Sequence, residues 1–506
     1  MKNKVLLITS TFENPIAISK VNNNIGEEKF GYEEVEKQHY AIGLAYIHSY
    51  IESKGYCVEG LYLNSYPFEE CLERIKNKLE YFSPDFVGIQ IFSVNRISSY
   101  KIIEYIRENY PKIKIIVGGL HATLMYHQIL EKYPFLTIVI GEGELTFVEL
   151  LNSFKEGKKN MRNIKGIAYK IKGKVIVTDS RPLIENLDEL PYPKHEVFFR
   201  ENRSQACLLT TRGCPFKCSF CCMNPLTKRR VRFRSVKNVV DEIEYLAKSF
   251  KKIKLIWIHD ETFTLDNNRV IQICDEIIKR GIKKEFIASG RIKPISKKMI
   301  KKMEEANFKY LILGVESGCD DILKKAHKGI TKKDIVETFK LFKNSKVILK
   351  IFIIIGLPGE TKETIIETSK FVRDLQKIIY ISLGDTANYL RIYPGAEVYE
   401  IAKEAGIISD KYWLTELSSP IFTLENSLET LNEFGEIFIN YTAWSRMFRL
   451  KGFIHQWMMI PYFLKYLLTT KRKLLLQKIF FFIKLNKEGI SPPNPEGMGI
   501  RNGRII

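Results

Sequence analysis

Cys214, Cys218 and Cys221 fall at i, i+4 and i+7 in the run RGCPFKCSFC, with no fourth thiol at a comparable spacing in the same segment. A fully protein-held cubane iron–sulfur cluster takes four thiolates, so three leave one iron without a protein ligand. An iron with an open position can bind and activate a small molecule, whereas a closed one can only pass electrons or hold structure. Structural zinc is the plainer alternative, but it uses four ligands, commonly in CxxC or Cys/His pairs. No second pair follows Cys221 at finger spacing, and the next histidine is His259. Nine cysteines in 506 residues, without a leader-like start, do not form the pattern of a disulfide-stapled secreted protein. Cys222 is taken as a packed thiol.

CxxxCxxC on a loop after a strand resembles the radical S-adenosylmethionine (SAM) superfamily, and Phe220 stands at that family's aromatic before the third cysteine. The resemblance implies a [4Fe-4S] cluster on Cys214, Cys218 and Cys221. Its open iron would chelate the amino and carboxylate groups of SAM, and reductive cleavage would yield a 5′-deoxyadenosyl radical.

Such a loop must be presented by regular elements. From residue 206 a strand–helix rhythm repeats six times, with strand-like runs at 206–210, 254–258, 286–289, 310–314, 351–355 and 387–392. Helical segments at 236–247, 268–279 and 332–344 lie between them. Six parallel units predict a partial (β/α)6 barrel of the TIM type, with its site at the carboxyl strand ends. The resembling family has the same open barrel. At those ends the resemblance implies a carboxylate for the methionyl ammonium, Asp260 or Glu261 without a choice between them, then Ser289 and Arg291. Glu316 would accept from the ribose, and Gly356 and Gly359 would let backbone approach the adenine. An acidic residue at a strand end is, taken singly, more often a cap or surface charge. Several in family order carry more weight.

Residues 1–150 alternate strands (4–8, 58–63, 86–91, 114–117, 137–140) with helix-length segments, predicting an open, doubly wound parallel sheet of Rossmann or flavodoxin-like type. Its ligand edge would carry Ser93, Gly118, Gly119, His121, Gly141 and Glu142. Many functions share this architecture. The turns GGLHAT and GEGE, ahead of the thiol loop, are similar to those of cobalamin-binding domains in cobalamin-dependent radical SAM enzymes, and the resemblance spans residues 84–400. The DxHxxG motif of histidine-ligated cobalamin proteins is absent, so no lower axial ligand is assigned. For His121, ligand contact and a turn histidine bonded to backbone both stay open. The long polar segment 12–38 fits a lid or plain disorder.

Residues 151–203 form a connector whose run GIAYKIKGKVIVT predicts a β-hairpin, followed by a proline-marked linker. Residues 204–425 make the barrel, and 426–506 a helical, basic and apolar C-terminal region ending in a proline-rich tail. Of the net charge of +21, nine Lys or Arg lie in 437–485, a stretch without Asp or Glu. Such a field attracts anionic partners. The segment 465–485 reads either as an interfacial helix on anionic membrane or as a helix capping the barrel; nucleic acid is not expected, for want of a binding module. No run of 18 apolar residues and no signal-like start is present, so the expected compartment is the cytoplasm, with attachment to the inner membrane face as the interfacial alternative.

The expected function is radical functionalisation of an unactivated carbon, with methyl transfer through methylcobalamin first and oxidative cyclisation or rearrangement second. A non-catalytic iron–sulfur or corrinoid sensor is the rival from another class. A tRNA methylthiotransferase would need three further N-terminal cysteines, and only Cys57 and Cys71 precede residue 200. Expected partners are a small or lipid-like substrate and a flavodoxin or ferredoxin as electron donor.

Overall fold

The computed structural model describes residues 4–12, 41–64, 66–157, 161–197, 205–382 and 387–447, with 500–501 and 504–505. The predicted segments 12–38 and 465–485 therefore lie almost wholly outside the described residues. Residues 1–21 and 28–445 make one compact unit; 22–27 and 446–506 make a second, of which a short antiparallel pair, Ile500–Arg501 with Arg504–Ile505, is described.

In the first unit, β1 (Lys4–Thr9), β2 (Cys57–Tyr62), β3 (Phe86–Gln90), β4 (Lys114–Gly118) and β5 (Thr137–Val139) are parallel. Apolar and β-branched runs such as KVLLIT suit strands covered on both faces. The hairpin predicted in the connector forms β6 (Ile167–Ile171) and β7 (Lys174–Val177), and it joins this sheet antiparallel to β5. It covers the edge that β5 would otherwise leave open. The order β2-β1-β3-β4-β5-β6-β7 puts the chain reversal between β1 and β3. In doubly wound sheets ligands bind at that switch point, outside the carboxyl ends.

The second sheet contains β8 (Gln205–Leu208), β11 (Leu255–Ile258), β12 (Glu285–Gly290), β13 (Phe308–Glu316), β14 (Ile348–Ile355), β15 (Ile381–Ser382) and β16 (Ala387–Tyr389), all parallel. These are the six predicted strands plus the two-residue β15. The sheet runs from β8 to β14 and its two outer partners without closing, so it is a partial barrel. Between β8 and β11, a small hairpin of β9 (Thr211–Arg212) and β10 (Arg232–Phe233) brackets the thiol loop.

Helices on the barrel's outside, including Val236–Ser249 and Asn267–Lys279, start on Ser235 and Asp266 caps and bury an apolar face against the strands. Helix Leu428–Met447 adds Leu431, Phe434 and Phe438 to that core. A further apolar core ignores the predicted domain boundaries. It joins Ile8, Ile89 and Val117 of the first sheet to Ile322, Leu390 and Trp413 of the barrel region. Among the described residues, no helix is long and apolar enough to cross a membrane.

Candidate active site

The thiol loop leaves β9 through Gly213, whose φ of +99° is open to glycine and costly for other residues. A Cβ there would stand 2.0 Å from the Arg230 carbonyl oxygen, so the hairpin closes only around a glycine. Inside the loop, Cys221 N donates to Cys218 O at 3.1 Å. Ser219 is tied on both sides, its N–H to Ala326 O and its carbonyl to Val398 N, each at 3.1 Å. Cys218 is buried, while Cys214 and Cys221 are half-buried. Burial pushes the Cys221 thiol up, and the charges of Cys218, Cys214 and Glu261 push the same way, so these groups share one neighbourhood. Burial likewise pushes neighbouring Cys222 up to about 12, which suits a packed thiol.

Among the described residues no three His, Cys, Asp or Glu side chains converge on a single ion. The donor set of three thiols fits the [4Fe-4S] group the sequence implies. A cleft of 770 Å³ opens beside Cys218 and Cys221, lined also by Lys217, Lys228, Arg229 and Gly395.

The strand ends converge on this loop. After β11, Asp260 and Glu261 take different roles. Asp260 is buried, and its carboxylate accepts from Thr210 N at 2.6 Å, Thr211 N at 3.1 Å and Thr210 Oγ1. It is consumed in fixing the end of β8. Glu261 accepts from Gly213 N at 3.3 Å and carries fewer contacts than Asp260, so its carboxylate is the better placed of the two for an ammonium. Burial raises its pKa, and Asp260 adds to the rise; an incoming cation would relieve both.

After β12, Arg291 is buried, donates to Cys218 Sγ at 3.6 Å and stacks 3.7 Å from the Phe216 ring centre. Ser289, two residues earlier, is half-buried at the end of the same strand. At the end of β13, Glu316 adopts φ +66° and pairs with the buried Lys328 at 2.7 Å. A Cβ on Gly314 would come within 2.7 Å of Lys328 Nζ, so the small residue makes room for the pair. Lys328 also lies 5.8 Å from the ring of Phe220. It carries no motif of its own in the sequence, and only the fold brings it beside Glu316. After β14, Gly356 N donates to the buried Glu360, while Gly359 N donates to Glu425. Burial raises Glu360 to about 8, and among the described residues its Oε1 has no hydrogen-bond partner.

In the first domain, Gly119 has φ +98°, and a Cβ would stand 2.8 Å from Ile91 O. Gly118 ends β4, and Gly141 N donates to Thr123 Oγ1 at 3.1 Å, with open space where a side chain would be. His121 is buried rather than presented: Nδ1 meets Ser93 Oγ at 3.0 Å and Nε2 meets Tyr100 OH at 3.3 Å. Burial holds its pKa down at about 3, so the ring is neutral. Its partners are two side chains, not backbone. Glu142 is engaged by Arg212, Arg232 and Ile184 N. At the β1/β3 switch point, the last residues of the two strands, Thr9 and Gln90, are buried, and among the described residues their Oγ1 and Oε1 have no hydrogen-bond partner. Orphaned buried acceptors at a ligand edge fit a large polar group such as cobalamin. Neither residue belongs to a recognisable motif.

Residues 208–372 match the radical SAM superfamily and residues 29–151 match the B12 binding domain. An uncharacterized methyltransferase of Pyrococcus horikoshii, PH0819, is 30% identical over 380 residues, spanning 74% of this chain and 80% of that one. The anaerobic magnesium-protoporphyrin IX monomethyl ester cyclase of Rubrivivax gelatinosus is 29% identical over 344 residues, 65% of this chain and 61% of that one. Two solved structures share the fold. The radical SAM methyltransferase TsrM from Kitasatospora setae superposes with a TM-score of 0.63 at 19% identity, covering 86% of this chain and 83% of that one. The cobalamin-dependent SAM radical enzyme OxsB superposes at 0.67 and 17% identity, covering 97% and 76%.

Proposed function

The chain belongs to the radical SAM superfamily, with a B12-binding domain ahead of its barrel, and from that premise we propose that it is a methyltransferase acting on an unactivated carbon. The observation that carries the proposal is the ring of groups around the thiol loop: Glu261 on Gly213 N, Arg291 on Cys218, and the Glu316–Lys328 pair. When bound, the cluster supplies the electron for cleaving SAM to a 5′-deoxyadenosyl radical, and cobalamin supplies the methyl carrier. The chain's own residues do the positioning. Glu261 offsets the methionyl ammonium in a site of low dielectric, and Arg291 or Lys328 meets the carboxylate. Glu316 accepts from ribose hydroxyls.

A second reading, oxidative cyclisation without methyl transfer, is favoured by the similarity to the Rubrivivax cyclase. In either reading a flavodoxin or ferredoxin delivers the electron, and the substrate is small or lipid-like. One experiment separates the two. The anaerobically prepared enzyme is given SAM with a deuterated methyl group together with an extract of its host's small molecules and lipids. Methyl transfer predicts trideuteromethyl in a product, whereas 5′-deoxyadenosine formed without deuterated product sinks it.

A further inference from the structure

The GEGE turn does something other than face a ligand. Glu142, in the turn after β5, and Glu144, the first residue of helix Glu144–Lys155, belong to the first domain, yet their carboxylates reach the hairpin that carries the thiol loop. Arg212, two residues before Cys214, donates through Nη1 to Glu142 at 3.1 Å and through Nη2 to Glu144 at 2.6 Å. The other Glu142 oxygen accepts from Arg232 Nη1 and Ile184 N, both at 2.8 Å. Arg232 is the β-ladder partner of Arg212 across the hairpin. Tyr46, from helix Ile42–Ser53, completes the enclosure, with the Arg212 guanidinium 4.9 Å from its ring centre.

Two carboxylates and two guanidiniums balance, and all four are nearly closed to water: side-chain exposure is 15% for Arg212, 12% for Glu142, 5% for Arg232 and 4% for Glu144. A buried balanced set of this kind has a sharp geometric optimum, because each charge removed leaves another unpaired. Arg212 spans two carboxylates with its planar fork, which an ammonium cannot reproduce.

We infer that Glu142 and Glu144 are positioning residues, acting through Arg212 to fix the start of the thiol loop against the first domain. The domain that carries one cofactor thereby sets where the other is held. This rests on the proposed function only in taking the thiol loop as the cluster site; the anchoring stands on the contacts themselves.

The test uses the full chain with Glu144→Gln and, separately, Arg212→Lys. The control is Glu149→Gln, which removes an ion pair to Arg181 from the same helix without touching Arg212. Amide hydrogen exchange is followed in peptides covering 213–222 and in β1, β3 and β4. The electron paramagnetic resonance spectrum of the reduced, reconstituted protein is recorded with and without SAM. Both test variants are expected to raise exchange in 213–222 roughly tenfold or more, as for the loss of one hydrogen bond between charged groups. They should also alter the SAM-dependent change in the spectrum, with the three strands as protected as in wild type. The control should match wild type. Wild-type exchange and spectra in both test variants overturn the inference. If Glu144→Gln loses protection everywhere, Arg212→Lys, which keeps the charge, decides by the same criteria. A wild-type protein that takes up no iron would refute the cofactor reading, while the exchange data would still decide the anchoring.

Discussion

At the scale of single residues, adjacent groups of one type proved to have opposite duties. Asp260 and Glu261 are equivalent in sequence; the fold turns one into β8 and the other towards the thiol loop, and only side-chain geometry tells them apart. Glu360 is a sharper case, since its motif, GLPGE, draws attention to the glycines. The carboxyl is buried, and burial raises it from 4.5 to about 8 although Gly356 and Leu357 amides pull it down. The folded form therefore holds a proton that the unfolded chain releases above about pH 4.5. This stability is complete below the unfolded value and falls as pH rises towards about 8, by at most about 1.4 kcal/mol per pH unit. Glu360→Gln keeps an acceptor for Gly356 N and cannot ionise. Its unfolding free energy, measured in denaturant between pH 5.5 and 8.5 and compared with wild type, should lack that downward slope. Parallel slopes in the two proteins would remove Glu360 as the source.

At the scale of elements, periodicity found every parallel strand except the two-residue β15 to within a few residues, because runs such as KVLLIT bury both faces and runs such as ILKIFIII bury one face in strict alternation. The connector hairpin was equally legible from its turn, but not its destination. Strand pairing at an edge depends on what lies beside it, and that is not local information. The short hairpin β9–β10 was invisible for the same reason: two-residue strands have no period. Yet that hairpin sets the thiol loop, through the contact of Gly213 with Arg230. Gly213→Ala must move the Arg230 carbonyl or force the left-handed conformation on a residue that resists it. The expected outcome is a folded protein with far less iron and sulfide after anaerobic reconstitution, because only the loop is disturbed. Wild-type iron content in a Gly213→Ala protein would show that the loop tolerates the shift.

At the scale of the whole molecule, the sequence divides into two α/β halves, but the apolar core does not. Trp413, fully buried, sits where the halves meet. Its indole packs 5.4 Å from His121 of the first domain, and the Arg96 guanidinium lies 4.9 Å from its ring. Its Nε1 donates to Tyr399 OH at 3.2 Å, on the barrel side. The same core joins Ile8 and Val117 to Ile322 and Leu390, and beside it the buried Glu142–Arg212 contacts cross between the halves. Domains joined only by a linker melt separately, whereas a shared apolar core couples them. The two halves are therefore expected to unfold in one transition. Trp413→Ala removes a large side chain from that seam, at a cost of about 3–5 kcal/mol. Since both halves lose contacts, near-ultraviolet circular dichroism and hydrogen exchange in β3 and β13 should lose structure at one lowered midpoint. If β3 and β13 open at separate midpoints already in the wild type, the seam does not couple the halves, and their relative placement must be set by something other than this core.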